Sequence, residues 1–420
     1  MVREGLVLGI VVATLALILL HPRGLSEAWA AAGGAAAMAL VGGIGLGDVR
    51  SVLAETANVL LFLLGMMVLT DLAERAGVFA WLAEGAARLA RGSGLLLFAN
   101  VFLLGALVTA FLSLDVTVIT LTPIVFALTG RRKLDPLPFV FACTFVANTA
   151  SLVFPISNLT NLLVYSQLTL GFFAFAGRMW LPDLVAVAAN AGIFLLLFRR
   201  RLPRRFGAPA GAMPAPDWWF RTAAAVLGAT LVGLLALGLV GRPLAWAALA
   251  GAGALLVVGL ASGRARARRV VREVSWSLFV FVVGMFLVVR GLERAWIARL
   301  VLRLPHGAGP ALVLSVVGNA LGSNVVNNVP MTLLSLTVMR HAAVGPGPGR
   351  EALAYGTLLG ANIGPTLTTY GSLATMLWLG IVRKRGLAVT TGLYLRVAAV
   401  TMPVVLLAAT LALWLTLTVR

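Results

Sequence analysis

Apolar and polar positions alternate in this chain on the scale of whole segments, not of single residues. In the first half, long apolar runs stand near 5–20, 26–45, 56–76, 135–155 and 178–198, and the second half continues in the same way. Each run approaches the roughly 20 apolar residues that an α-helix needs to cross hydrocarbon. The pattern predicts an all-α polytopic membrane protein. The stretch 94–130 differs: it is apolar at both ends, broken by Ser113-Leu114-Asp115, and flanked by basic residues at 88–91 and 131–133. It reads as a re-entrant hairpin that enters and returns on one side. If the hairpin region of each half instead crosses, the chain has twelve spans with both termini inside, and hydropathy alone does not separate the two arrangements.

The chain also compares well with itself. The string from Phe62 to Ala76 aligns without gaps on that from Phe281 to Ala295, matching Gly65 with Gly284 and Glu74-Arg75 with Glu293-Arg294. Asn148 falls opposite Asn362, Ser157-Asn158 opposite Gly371-Ser372, and Asp115 opposite Asn328. These matches predict two repeats, 1–205 and 218–420, joined by a cytoplasmic linker at 206–217 within an Arg- and Pro-rich stretch. Five crossings and one hairpin per repeat is an odd number of crossings, so the second repeat must be inverted, a common transporter architecture. The opening run followed by Ala28-Trp29-Ala30 imitates a secretory signal with its cleavage site. The same Ala-Trp-Ala at 245–247 favours a repeated structural unit instead.

Composition sharpens the reading. Hydrophobic residues make up 60% of the 420, charged residues 11%, and mean hydropathy is +1.01. A soluble domain could not cover itself with so little polar surface. In a soluble protein a net charge of +19 would suggest nucleic acid, but here the arginines cluster in short loops between apolar runs, and no nucleic-acid partner is implied. An outside N-terminus puts every dense basic cluster (131–133, 199–205, 264–272 and 383–385) in the cytoplasm, with the chain a multi-pass protein of the inner (plasma) membrane. Cys143 is the single cysteine, so the chain holds no internal disulfide or cysteine metal cage, and no cofactor is implied. With few titratable groups in the spans, a polytopic membrane enzyme is the rival class least supported.

Four polar segments interrupt the apolar runs. The first is Ser113-Leu114-Asp115. The second carries Asn148, Thr149 and Ser151, then Ser157, Asn158, Thr160 and Asn161 after Pro155. The third carries Ser323, Asn324, Asn327 and Asn328 before Pro330. The fourth carries Asn362, Thr366, Thr368, Thr369 and Ser372 around Gly364-Pro365. Irregular backbone at membrane depth must line a cavity or be buried in protein, and broken helix ends aim their dipoles into such a site. These amides and hydroxyls are therefore candidate substrate-binding groups; the plainer alternative is that they only cap broken helices. Asp115 reads as the one acid deep in an apolar stretch. A charge there costs roughly 3 kcal/mol, and acids at that depth usually serve ion or proton paths, so Asp115 is the candidate proton-coupling residue.

Several strings resemble the arsenite efflux permeases, the ArsB type, of the ion transporter superfamily. They are Leu121 to Val125, Asn148 to Leu152, Ser157 to Asn161, Asn327 to Pro330, and Gly371 to Trp378. The resemblance implies export of arsenite or antimonite in exchange for protons, an elevator-like motion and, in some systems, a soluble arsenite-stimulated ATPase as partner. The sequence departs from the family pattern at Asn148 and Asn362, where members carry Asp, and at Thr366, where they carry Lys. Those departures leave open a cation-coupled carrier of another anion or a sodium/proton exchanger of the same superfamily. No Gly-Lys dipeptide occurs, hence no Walker A loop, and any ATP use must come from a partner.

Overall fold

The computed structural model describes residues 2–20, 22–166, 168, 171–207, 215–296, 304–305, 307–341 and 347–418. Among the described residues all regular structure is helical. The first helices are α1 (Val2–Leu20), α2 (Glu27–Leu40), α3 (Leu46–Arg75) and α4 (Val78–Leu89). Then come α5 (Gly94–Phe111), α6 (Leu114–Val116), α7 (Thr122–Arg131), α8 (Leu137–Thr149), α9 (Leu159–Tyr165) and α10 (Phe172–Phe198). After the linker follow α11 (Trp218–Leu239), α12 (Ala245–Ala261), α13 (Ala267–Glu273) and α14 (Trp276–Ala295). The chain continues as α15 (Ala308–Val326), α16 (Asn328–His341), α17 (Pro348–Ile363), α18 (Leu373–Lys384) and α19 (Thr391–Thr418). Among the described residues nine helical stretches are long and apolar enough to cross a membrane. Their outward faces carry exposed Leu61, Leu103, Leu196, Val232, Leu321 and Leu407. So continuous an apolar exterior suits lipid, not water.

Two hairpins stand out. In the first, α5 meets a second arm running from Leu114 to Arg131, built from α6, a π-helical turn at Thr117–Leu121 and α7. Both ends of this hairpin converge on one surface. Phe206 donates its backbone N–H to Gly92 just before α5, Arg132 at the end of α7 binds Glu84 of α4 at 2.7 Å, and Asn100 of α5 donates to the carbonyl of Ala86 in α4. In the second, α15 and α16 reverse at Asn327, whose φ of +72° lies in the left-handed region. The arms are tied by Ser335, which donates to Asn319 at 2.8 Å.

Each broken span is packed against the other part of the chain. The short α9 lies against α16 and α17, while α18 lies against α7 and α8. The long helices cross over in the same reciprocal way: α3 packs on α12, and α14 packs on α2. Glycine makes both crossings possible. A Cβ on Gly65 would stand 2.6 Å from the carbonyl carbon of Ala248, and one on Gly284 would stand 2.8 Å from that of Ala31. Small residues at a helix crossing let backbones approach closely, which drives association in lipid. Ala31 follows the first Ala-Trp-Ala and Ala248 follows the second.

The course of α10 departs from local sequence preference. Pro182-Asp183 reads in the sequence as a helix start, yet α10 runs unbroken from Phe172 to Phe198 with Pro182 inside it. Proline removes the donor that would serve the carbonyl four residues earlier. That carbonyl belongs to Arg178, and Thr416 of α19 donates its hydroxyl to it at 3.0 Å. The neighbouring helix supplies the missing bond, so the helix continues.

The crossings yield a prediction. Gly65→Val and Gly284→Val each force two backbones apart and should cost about 1–3 kcal/mol, as overpacking does. Gly253→Val, on α12 with nothing within 4 Å of its added Cβ, serves as the control. Thermal unfolding in detergent should drop for the first two variants and stay near wild type for the third.

Candidate functional site

After α8 the backbone leaves helical geometry at Ala150 and makes one 3₁₀ turn at Pro155–Ser157. Asn158 then caps α9, its side chain accepting from the N–H of Thr160. Such a break frees amides and carbonyls that hydrocarbon cannot satisfy. Side chains take them up. Asn161 donates to the carbonyls of Ser151 at 2.6 Å and Phe154 at 3.0 Å. Ser157 donates to the carbonyl of Ala110 near the first hairpin tip, and Ser151 to that of Asn148. The centre of this network comes from elsewhere in the chain. Asn362, at the end of α17, accepts from Asn158 and from Thr160 (2.7 Å) and donates to Asn161 at 2.7 Å. All four of these side chains are buried.

The second break follows α17, with a 3₁₀ turn at Gly364–Leu367 and Ser372 capping α18. Here the second hairpin tip supplies the partners. Asn324 donates to the carbonyls of Ala320 and Gly364, and accepts from both the N–H and the hydroxyl of Thr368. Asn327 donates to the carbonyl of Tyr370 at 3.4 Å, and the backbone N–H of Asn328 donates to the carbonyl of Gly371 at 3.1 Å. Thr366 bonds within its own turn, and its carbonyl accepts from Tyr394 at 3.0 Å. Thr369 is buried beside this turn. Asn327 also lines a small crevice with Glu27 of α2 and Phe281 of α14, so the tip faces the crossed long helices.

The structure thus sorts the residues singled out from the sequence. Ser151, Ser157, Asn158, Thr160, Asn161, Asn324, Thr366, Thr368, Ser372 and Asn362 are engaged with backbone or with one another. Others keep capacity. Asn148 donates to the carbonyl of Thr144, but its buried Oδ1 has no partner, and neither has the buried Oγ of Ser323. No side-chain hydrogen bond is found for Asn328 among the described residues. Asp115 sits half-buried at the first hairpin tip, within the turn that Ser113 caps by accepting from the N–H of Val116. Its carboxylate meets neither a hydrogen-bond donor nor a cation among the described residues. Buried polar atoms are nearly always paired, so unpaired ones in a membrane interior mark places where a solute or water belongs.

Sequence reasoning missed two residues of α10. Asp183 accepts the backbone N–H groups of Leu152 and Val153 at 2.9 and 3.2 Å, so it is a second deep acid. Asn190 donates to Thr149 at 2.8 Å. An Asn or Asp within an otherwise apolar run was the available signal. Among the described residues no three His, Cys, Asp or Glu side chains gather as a metal site would require.

The two matched asparagines should behave differently when replaced. Asn362→Leu removes three side-chain partners, and at about 1 kcal/mol each should lower stability by roughly 3 kcal/mol. Asn148→Leu removes one recorded bond and should cost clearly less. Denaturation of the two purified variants side by side checks the order; equal losses would contradict it.

Compared with known families, residues 6–417 match the arsenical pump membrane protein family, ArsB. The arsenical pump membrane protein of Yersinia enterocolitica is 35% identical over 97% of this chain and 98% of its own length. That of Escherichia coli K12 is 32% identical over 97% and 98%. Among solved structures, the YdaH transporter of Alcanivorax borkumensis is similar with a TM-score of 0.55 at 18% identity, covering 87% of this chain and 86% of that one, which is a likeness of fold. With nine apolar helical stretches among its described residues and a family match over nearly its whole length, the chain is a multi-pass transporter of the inner membrane and belongs to the ArsB family of arsenical pump membrane proteins.

Proposed function

We propose that this protein exports arsenite and antimonite in exchange for protons, by elevator-like alternating access. The observation that carries the reading is the set of unpaired groups at the hairpin tips and breaks: Asn148 Oδ1, Ser323 Oγ and the Asp115 carboxylate. Arsenite near neutral pH is largely an uncharged trihydroxide. Amides and hydroxyls offer it donors and acceptors of matching strength, and the relatives are named arsenical pumps.

Asp115 supplies the coupling. An ionised carboxylate moving across an apolar interior costs roughly 3 kcal/mol by insertion scales. Two events relieve that cost: an arsenite hydroxyl donating to the carboxylate, or a proton on it. The loaded carrier moves outward with arsenite bound, and the empty carrier returns only when protonated. Proton and arsenite then exclude each other at one group, which is the requirement for exchange.

The moving body in this reading comprises both hairpins, the two broken spans, α10 and α19. The crossed helices α2, α3, α12 and α14 form the scaffold. Matched acids bridge the boundary: Glu74 of α3 accepts from Thr120 at 3.0 Å, and Glu293 of α14 faces His341 at 3.6 Å. The two repeats, 1–205 and 218–420 with linker 206–217, are read as inverted; the reciprocal glycine crossings support this. A soluble arsenite-stimulated ATPase fits as an additional partner on the basic cytoplasmic side.

Arsenite uptake into everted vesicles, with and without an imposed pH gradient, tests the reading. Wild type should accumulate arsenite only with the gradient. Asp115→Asn should insert normally and fall to the level of empty vesicles. Uptake driven by sodium, or of another anion, would support the cation-coupled carrier left open by the sequence, and normal pH-driven uptake by Asp115→Asn would remove Asp115 from the mechanism.

A further inference from the structure

The first break is held from two sides by one helix. Asn190 and Asp183 lie two turns apart on one face of α10. Asn190 binds Thr149 where α8 ends, and Asp183 receives Leu152 and Val153 one turn further along the chain. Both backbone donors reach the same oxygen, Oδ1. The corresponding task at the second break falls to an amide: Asn324 Oδ1 receives the N–H of Thr368 at 3.1 Å. A neutral acceptor therefore suffices to hold a broken backbone in this protein, yet the first break is held by an acid. An acid adds one property that an amide lacks, namely a proton that comes and goes.

We propose that Asp183 is a proton-responsive clamp on the first break. Ionised, it holds the segment Leu152–Val153 by charge-assisted hydrogen bonds; protonated, it accepts more weakly and frees that segment. N–H donors to a carboxylate bind about twice as strongly as to a neutral oxygen. Asn190 stays engaged in either state, so release is confined to the side of the break nearer α9. Its role in export rests on the proton-coupled reading above; the clamp itself does not.

No other charge competes for this carboxyl. The groups on α10 and on elements packed against it are Arg178 on α10, Cys143 on α8, Tyr165 on α9, Arg221 on α11, Tyr394 and Arg396 on α19, and Glu351 and Tyr355 on α17. Arg178 is bound to Glu351 and to the carbonyl of Thr416. Tyr394 is bound to the carbonyl of Thr366, and Arg396 is exposed. None of them forms a hydrogen bond or ion pair with Asp183 among the described residues. Protonation of Asp183 is thus felt first by the two backbone amides.

Residue-resolved hydrogen–deuterium exchange on the full-length protein in lipid nanodiscs tests this without requiring transport. After correction for intrinsic rates, lowering the pH from mildly alkaline to mildly acidic should speed exchange at Leu152 and Val153 about fivefold, the difference between charged and neutral acceptors. Thr368, held by an amide, should show no such change. Asp183→Asn should flatten the response at 152–153. Should that variant fail to fold, the wild-type contrast between 152–153 and 368 decides alone. Asp115→Asn should keep the response even if it loses arsenite export, which separates this clamp from the coupling group. Flat protection at 152–153 in wild type, an equal slope in Asp183→Asn, or loss of the slope in Asp115→Asn would overturn the proposal.

Discussion

Hydrocarbon offers no partner to a free amide or carbonyl, and the interior of this protein is organised around that fact. A span that breaks must find every missing hydrogen bond inside the bundle. The break after α8 finds them in Asn161, Asp183 and the 3₁₀ turn at Pro155–Ser157. The break after α17 finds them in Asn324, Asn327 and Tyr394. Because these partners lie on different helices, satisfying the backbone also fixes hairpins, broken spans and α10 relative to one another. The polar site and the fold of the interior are one set of bonds.

The same constraint explains why similar sequence motifs end in different chemistry. Asn362 is enclosed by Asn158, Thr160 and Asn161, which satisfies both of its heteroatoms. Asn148, its counterpart by alignment, gains no such enclosure: Ser372 and Thr375, which align with Asn158 and Asn161, bond to each other at 2.9 Å. One asparagine is thereby a structural hub, and the other keeps a buried acceptor open. Both deep acids, Asp115 and Asp183, precede the linker. Neutral amides do most of the holding after it.

Much of this was legible in the sequence, because the signals are local. Runs of about 20 apolar residues mark spans, and Gly, Pro and Asn mark breaks. The hairpin reversals near Ser113 and Asn327 and the irregular segments after Thr149 and Ile363 fall where those residues stand. What escaped depends on contacts between distant residues. Pro182 looks like a helix start until Thr416 is seen to serve the carbonyl of Arg178. Asp183 then becomes a mid-helix acid instead of a first-turn one. Likewise, no spacing rule tells that Asn362 belongs with Asn158, 204 positions away. Caps and hubs use the same residue types as binding sites, so the division between them appears only when partners are known.

The paired crossings of α3 on α12 and α14 on α2 bear on how the molecule is made. On the ribosome, α2 and α3 emerge long before the helices that cover Gly65 and Ala31 exist. Until α12 and α14 arrive, their small-residue faces can meet only lipid or each other, and the early product is an insertion intermediate with no finished core. Completion is a late, concerted docking of two helices into two waiting grooves. Splitting the gene at the linker would accordingly give two fragments that need simultaneous synthesis to become a carrier.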